Sequence, residues 1–280
     1  MPDSCPMWNL NDLYDGIDSS KAKSDIAICY KESEKLVKDY KGKLKDLDGD
    51  SLATIIDVYE RIIERLGKLQ SHAQLMYAAN TVDPLVAKNH QFLREVGTEI
   101  CARLLFVELE LAKIDQALLE NKLESSKLQR FKPWLRRLRA TAPYQLADNI
   151  ETMIAERAPT GAGAWVRLFD ETMAGLRFPF QNSMVSEAEI LDALSSSNSD
   201  KREEAGKSLS NTLKDNERLL SLVLNTVVKD KQIEDDWRGF ERPVSSRNLA
   251  NDVDDEVVDA LVAAVDSRNS NLSHRYYAMK

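Results

Sequence analysis

Apolar residues recur along most of this chain at steps of three and four, the spacing of one face of an α-helix. The clearest run is Leu52, Ile55, Tyr59, Ile62, Leu66, Leu69 and Met76, a seam over ~30 residues or ~45 Å of helix. Gly49-Asp50-Ser51 reads as the turn before it. A first helix is expected over about 19–44, with Ile26, Cys29, Tyr30, Leu36, Val37, Tyr40 and Leu44 on one face. Residues 1–18 lack a period and carry Trp8, Leu10, Leu13 and Tyr14 as anchors. Asp83-Pro84 opens a third helix, because the carboxylate can accept from orphan N–H groups and Pro lacks a donor where none is needed. Its apolar set is Leu85, Val86, Phe92, Leu93, Val96, Ile100, Leu104, Leu105 and Val107. Two long helices joined by so short a turn should form an antiparallel hairpin.

Shorter helices are expected over about 115–123, 126–139, 145–157 and 162–176. Leu176-Arg-Phe178-Pro-Phe180 alternates and is the one plausible strand, held at an edge by Pro179. Ser186 and Glu189 form a capping box for a helix at 187–194, and Asp200-x-x-Glu203 opens a longer one through about 228. Asp252, Asp254, Asp255 and Glu256 crowd the start of a helix at 253–267, where carboxylates favour the positive dipole end. The fold class is all-α with at most one small hairpin. The organisation is a long-helix region at 1–114 followed by a shorter-helix region at 115–280. Asn271 to Lys280 read as the opening turns of a helix without a cap or polar tail, so the chain is expected to be the front part of a longer protein.

A net charge of −8 argues against nucleic acid as the main partner, since phosphate binding needs a basic surface. No stretch approaches the ~18 apolar residues of a membrane span, and the N-terminus has no basic-then-apolar signal. Cys5, Cys29 and Cys101 are odd in number and far apart, which suits reduced thiols in the cytoplasm.

Candidate chemistry is sparse. His72, His90 and His274 have no ligand partner at i+4, so His72 and His90 read as ordinary helix or core histidines and no metal site is assigned. Gly161-Ala-Gly163-Ala-Trp165-Val166 resembles a phosphate loop, but no strand precedes it and Val166 takes the third-glycine place; a glycine turn into a helix is the better reading. Lys132-Pro-Trp134-Leu-Arg136-Arg137-Leu-Arg139 reads as a solvated basic helix face, although it could meet a substrate carboxylate. Asp235-Asp236 and Asp254-Asp255-Glu256 read as loop and helix-start acids rather than paired general acids.

Several strings change this picture. Trp8-Asn-Leu-Asn-Asp-Leu-Tyr14, Ser71-His-Ala-Gln-Leu-Met-Tyr77-Ala-Ala-Asn-Thr, Phe131 to Arg139 and Pro143-Tyr-Gln-Leu146 occur in order. So do Thr160-Gly-Ala-Gly-Ala-Trp165-x-x-Leu-Phe169-Asp-Glu-Thr, Leu224-Asn-x-x-Val-Lys-Asp230-Lys, Asp236-Trp-Arg-Gly-Phe, Pro243, Arg247-Asn-Leu-Ala-Asn251 and Ser273-His-Arg-Tyr-Tyr277. Together they resemble the front part of oligoendopeptidase F, a zinc metalloendopeptidase of the thimet oligopeptidase clan. Gln181 to Val185 depart from it by lacking the glycine often found in that hairpin.

The resemblance implies a zinc-activated water attacking a peptide carbonyl, with a His-Glu-x-x-His helix and a later Glu as ligands and base. Those groups lie beyond the stretch matched here. No catalytic residue is therefore assigned, and zinc is expected in the full-length enzyme but not on this chain. Its partners would be short peptides, through the complete enzyme, and the missing C-terminal catalytic part. Arg136, Arg139, His274 and Tyr277 are the substrate-binding candidates, on one helical wall of a channel for short peptides. The alternatives are a free-standing all-α protein that binds a peptide or partner without cutting it, and a subunit completed by a separate catalytic chain.

Overall fold

The computed structural model describes residues 9–80 and 83–279, so Cys5, Trp8, Thr81 and Lys280 lie outside the described residues. The described residues form an all-α fold with one two-stranded sheet. Helices α1 (Ser20–Tyr40), α2 (Gly49–Ala79) and α3 (Pro84–Ala112) form the first layer. The α2–α3 hairpin is antiparallel: Tyr77 stacks on His90, Gln70 lies over Gly97, and the Tyr59 hydroxyl donates to Glu108. Each step down α2 is matched by an equal step up α3. Asp83 accepts from the Leu85 and Val86 amides at 2.8 and 3.4 Å, so the expected cap forms.

The fully buried seam comprises Leu52, Ile56, Ile62, Leu66 and Leu69 of α2 against Leu93, Ile100 and Leu104 of α3. Burying one such side chain contributes roughly 1.5–3 kcal/mol. Met76, Leu85 and Phe92 share the period but are exposed, toward the tip of the hairpin. Tyr14 packs its buried ring edge-on against His72 and donates its hydroxyl to Asp25 at 2.9 Å, pinning the leading segment. Cys29 is buried in the same core, and burial pushes its thiol up to about 11; Cys101 is exposed.

Several boundaries in the first half of the chain differ from the sequence reading. Helix α1 stops at Tyr40 because Gly42 adopts φ +82, and Glu110 accepts from the Gly42 and Leu44 amides at 2.6 and 3.3 Å. Leu44 still reaches the core, from a 3₁₀ turn at Leu44–Asp46. Gly49-Asp50-Ser51 is the first turn of α2 rather than a loop, since Asp48 is the residue that accepts from the Ser51 amide, at 2.7 Å. The expected 126–139 helix divides into a 3₁₀ turn, Gln129–Phe131, and α5, Lys132–Thr141, because Pro133 can supply no interior hydrogen bond.

Helix α4 (Gln116–Lys122) and α5 complete the main core, which runs from Tyr14 to Leu138. Trp134 of α5 stacks on Tyr59 with centroids 5.7 Å apart. Helices α6 (Asp148–Arg157) and α7 (Ala162–Gly175) follow, α6 packed on α3. Strands β1 (Phe178–Phe180) and β2 (Ser183–Val185) pair antiparallel, with Phe178 opposite Val185. Gln181 and Asn182 take φ +48 and +64, the left-handed geometry of a tight hairpin, and Glu204 accepts from the Gln181 amide at 3.0 Å. The turn thus closes without the glycine. Phe178 lies in a small second core with Ile190 and Ala205, built from the hairpin, α8 (Glu187–Ala193) and α9 (Ser199–Asp215). The Ser186–Glu189 capping box forms as expected.

The single long helix expected from 200 to 228 is two: α9 ends at Asp215, and α10 runs Glu217–Arg238. The junction is Asn216, whose side-chain amide donates to the Thr212 carbonyl at 2.9 Å, a local bond that competes with helix continuation. The cap of α9 is Asn198, not Asp200. Gly239, at φ +79, ends α10 ten residues beyond the expected boundary. A short α11 (Ser245–Ala250), α12 (Asp255–Asn269) and α13 (Ser273–Met279) close the described chain. No helix of the described residues is long and apolar enough to cross a membrane.

Candidate functional site

Three features outside the cores could carry function. An open groove of about 710 Å³ runs between α1, α3, α6 and α7 over a floor of Val37, Ala102, Phe106 and Leu109. Much of its polar rim is committed to the fold. Glu110 caps the α1 end, Glu99 accepts from the Tyr30 hydroxyl and from Arg103 at 2.8 Å each, and Asp148 pairs with Lys113. Glu95, Glu156 and Lys41 also line the rim. Such a groove can hold an extended chain by apolar contact and hydrogen bonds, but it contains no nucleophile beside a base.

The second feature is an arginine staple. Arg238, near the end of α10, donates to both Glu151 oxygens at 2.6 and 3.0 Å, to Glu234 at 2.8 Å and to the Tyr144 carbonyl at 3.2 Å. The Glu151 and Arg238 side chains are only 11% and 18% exposed. Burial alone would raise the Glu151 carboxyl, but Arg238 and the Leu146 amide outweigh it and hold it below the usual range. The same contacts push the Arg238 guanidinium upward. Beside the pair, Tyr144 stacks on Phe240 at 4.0 Å. Asp235, read from the sequence as a loop acid, is buried in α10 and paired with Lys231. Asp255 does lie at a helix start, where it also accepts from Ser245 and Asn248 at 2.6 and 2.7 Å and binds α11 to α12.

The third feature is an uncovered apolar face. Leu222, Leu224, Val228 and Trp237 of α10 are 53 to 64% exposed. Val257, Leu261, Val262 and Val265 of α12 are similarly bare, as are Tyr277 and Met279 of α13. A helix apolar on several sides is stable only when other chain covers it.

The sequence candidates fall on two elements with different neighbours. Arg136 is exposed on α5, whereas Arg139 is half-buried and donates to the Ile114 carbonyl at the end of α3. His274 and Tyr277 are exposed on α13, which packs on α12. His72 and His90 are core and helix-packing residues, and burial lowers both imidazoles. Among the described residues no group of three or more His, Cys, Asp and Glu converges to hold a metal ion. The described residues therefore offer no ligand set of the kind a zinc ion would need. The staple was not found in the sequence, although Arg238 stood within a quoted string, because its partner Glu151 is 87 residues away.

The family model described as Oligopeptidase F matches residues 110–178, from the end of α3 to β1. Oligoendopeptidase-F from Enterococcus faecium superposes with a TM-score of 0.80 at 17% identity, covering 92% of this chain and 52% of that one. A Chlamydophila abortus structure assigned provisionally as a peptidase gives a TM-score of 0.58 at 15% identity, covering 97% of this chain and 46% of that one. At these identities the likeness is one of fold, and the chain spans about half the length of both structures. No curated protein sequence matches it.

Proposed function

We propose that this chain is the N-terminal region of an oligoendopeptidase F-like peptidase, a reading supported by the family model over residues 110–178 and the likeness in fold, and that it forms one wall of a channel for short peptides completed by a metal-bearing catalytic half. The observation that carries this reading is the set of bare apolar residues on α10, α12 and α13, above all Leu261 and Val262 at 64 and 60% exposed. The matched solved structure is about twice as long as the part aligned here, enough chain to cover them. The described residues offer no converging metal ligands, so no catalytic step is assigned to them. Their part is to shape the channel and to seat the catalytic half. His274 and Tyr277, on the uncovered α13, are candidates for substrate contact once that half is in place, as are Arg136 and Arg139 more remotely.

The test expresses the 280-residue chain alone and together with a His-Glu-x-x-His half, and follows cleavage of an internally quenched short peptide. The expected result is chelator-sensitive cleavage only when both are present, with hydrogen exchange slowed along α12. Cleavage by the chain alone, or unchanged α12 exchange in the pair, overturns the reading. Tight peptide binding by the chain alone, unaffected by the second half, would favour the non-catalytic alternative, and the groove beside α3 would be its site.

A further inference from the structure

A polar pocket lies between the later turns of α2 and the early turns of α3. It has a volume of about 330 Å³ and is lined by Gln70, Ser71, Gln74, His90, Leu93 and Arg94. Five of these six side chains can hydrogen-bond, all five as donors in either histidine state, and none is a carboxylate.

Arg94 is the unusual member. Among the described residues its guanidinium has neither an ion pair nor a hydrogen bond, whereas the neighbouring Arg103 and Arg167 are both engaged. Its Nη2 reaches the glycine turn before α7, 3.1 Å from where a Cβ on Gly163 would stand. Arg167, one turn further along α7, donates to Gln91 at 2.8 Å. The imidazole of His90 stacks on Tyr77 at 4.7 Å, and burial, then the charges of Arg94 and Arg167, lower its pKa below the usual value. The Arg94 guanidinium is thus the one permanent charge lining a concave, donor-rich surface, and no carboxylate lines that surface with it.

We propose that this pocket binds a small oxyanion, a phosphate or a carboxylate, with the Arg94 guanidinium as its principal donor. The planar fork of arginine matches two oxygens at once, which a lysine could not do. Gln70, Ser71 and Gln74 supply further donors from the α2 wall. The inference is independent of the peptidase reading, because it uses only residues of α2, α3 and the start of α7.

The experiment is an NMR titration of the imidazole resonances of the whole chain with inorganic phosphate and, separately, with acetate, at constant ionic strength. The expected result is a saturable shift at His90 that His72 and His274 do not share. Arg94→Gln should weaken it by about tenfold or more, or ~1.4 kcal/mol. Gln74→Leu, at an exposed position, should weaken it several-fold and decides the matter if Arg94→Gln does not fold. Saturation by phosphate alone or acetate alone assigns the ligand class, and saturation by both leaves the general oxyanion site. A linear response to both anions, or an identical response in the Arg94→Gln and Gln74→Leu chains, overturns the proposal.

Discussion

Arg238→Ala isolates the largest electrostatic commitment in this fold. The substitution removes both bonds to Glu151, at 2.6 and 3.0 Å, together with those to Glu234 and the Tyr144 carbonyl. Glu151, 11% exposed, then keeps only the Leu146 amide, at 2.8 Å. Stranding one member of a buried pair costs about 3–5 kcal/mol. In the native protein the Glu151 carboxyl sits below its ordinary value of 4.5, so its contribution is present above that pH and is lost as pH falls through the lower folded value. In the variant, burial is opposed only by the Leu146 amide and raises the same carboxyl, so acidification relieves the strain by protonating it.

Urea unfolding followed by circular dichroism should therefore show a deficit that is largest near neutrality and shrinks as pH falls toward and through the ordinary carboxyl value of 4.5. Glu151→Gln should cost less, about 1–3 kcal/mol, because Arg238 retains Glu234 at 2.8 Å. A loss below about 1 kcal/mol for Arg238→Ala, or a deficit constant across this pH range, would refute the account of the staple.

The remaining predictions contrast packed positions with bare ones. Leu104→Ala should destabilise the chain by about 2–5 kcal/mol, since Leu104 is 1% exposed within the α3 seam. Leu261→Ala, at 64% exposed on α12, should fall within about 0.5 kcal/mol; a large loss on thermal melting would mean that α12 is already packed. Gly49→Ala places a Cβ 2.3 Å from the Lys122 carbonyl oxygen and 2.7 Å from the Ser125 Cβ. That crowding should cost about 1–3 kcal/mol by urea unfolding. Gly97→Ala meets only the mobile end of Gln70, at 2.0 Å, so a gain in helix propensity of about 1 kcal/mol should offset it. Equal losses at the two glycines would refute this distinction.

Much of the fold was legible because helices and caps are local. The three-four period of α2, the Asp83-Pro84 start of α3 and the Ser186–Glu189 box each depend on residues within a few positions of one another. The end of α1 was not legible, since it is set by Glu110 across the bundle as well as by Gly42. Nor was the break at Asn216, where the apolar period continues on both sides of a side-chain bond to Thr212. The zinc-peptidase resemblance came from ordered strings rather than from any constellation of ligands. The sequence by itself determined an all-α chain, most of its helix starts and the kind of protein it resembles. Tertiary structure alone decided that Arg238 meets Glu151, that Arg94 lines a pocket without a carboxylate, and that the apolar residues of α12 remain uncovered. A helical period shows which face needs a partner, but only packing between distant segments determines which partner it finds.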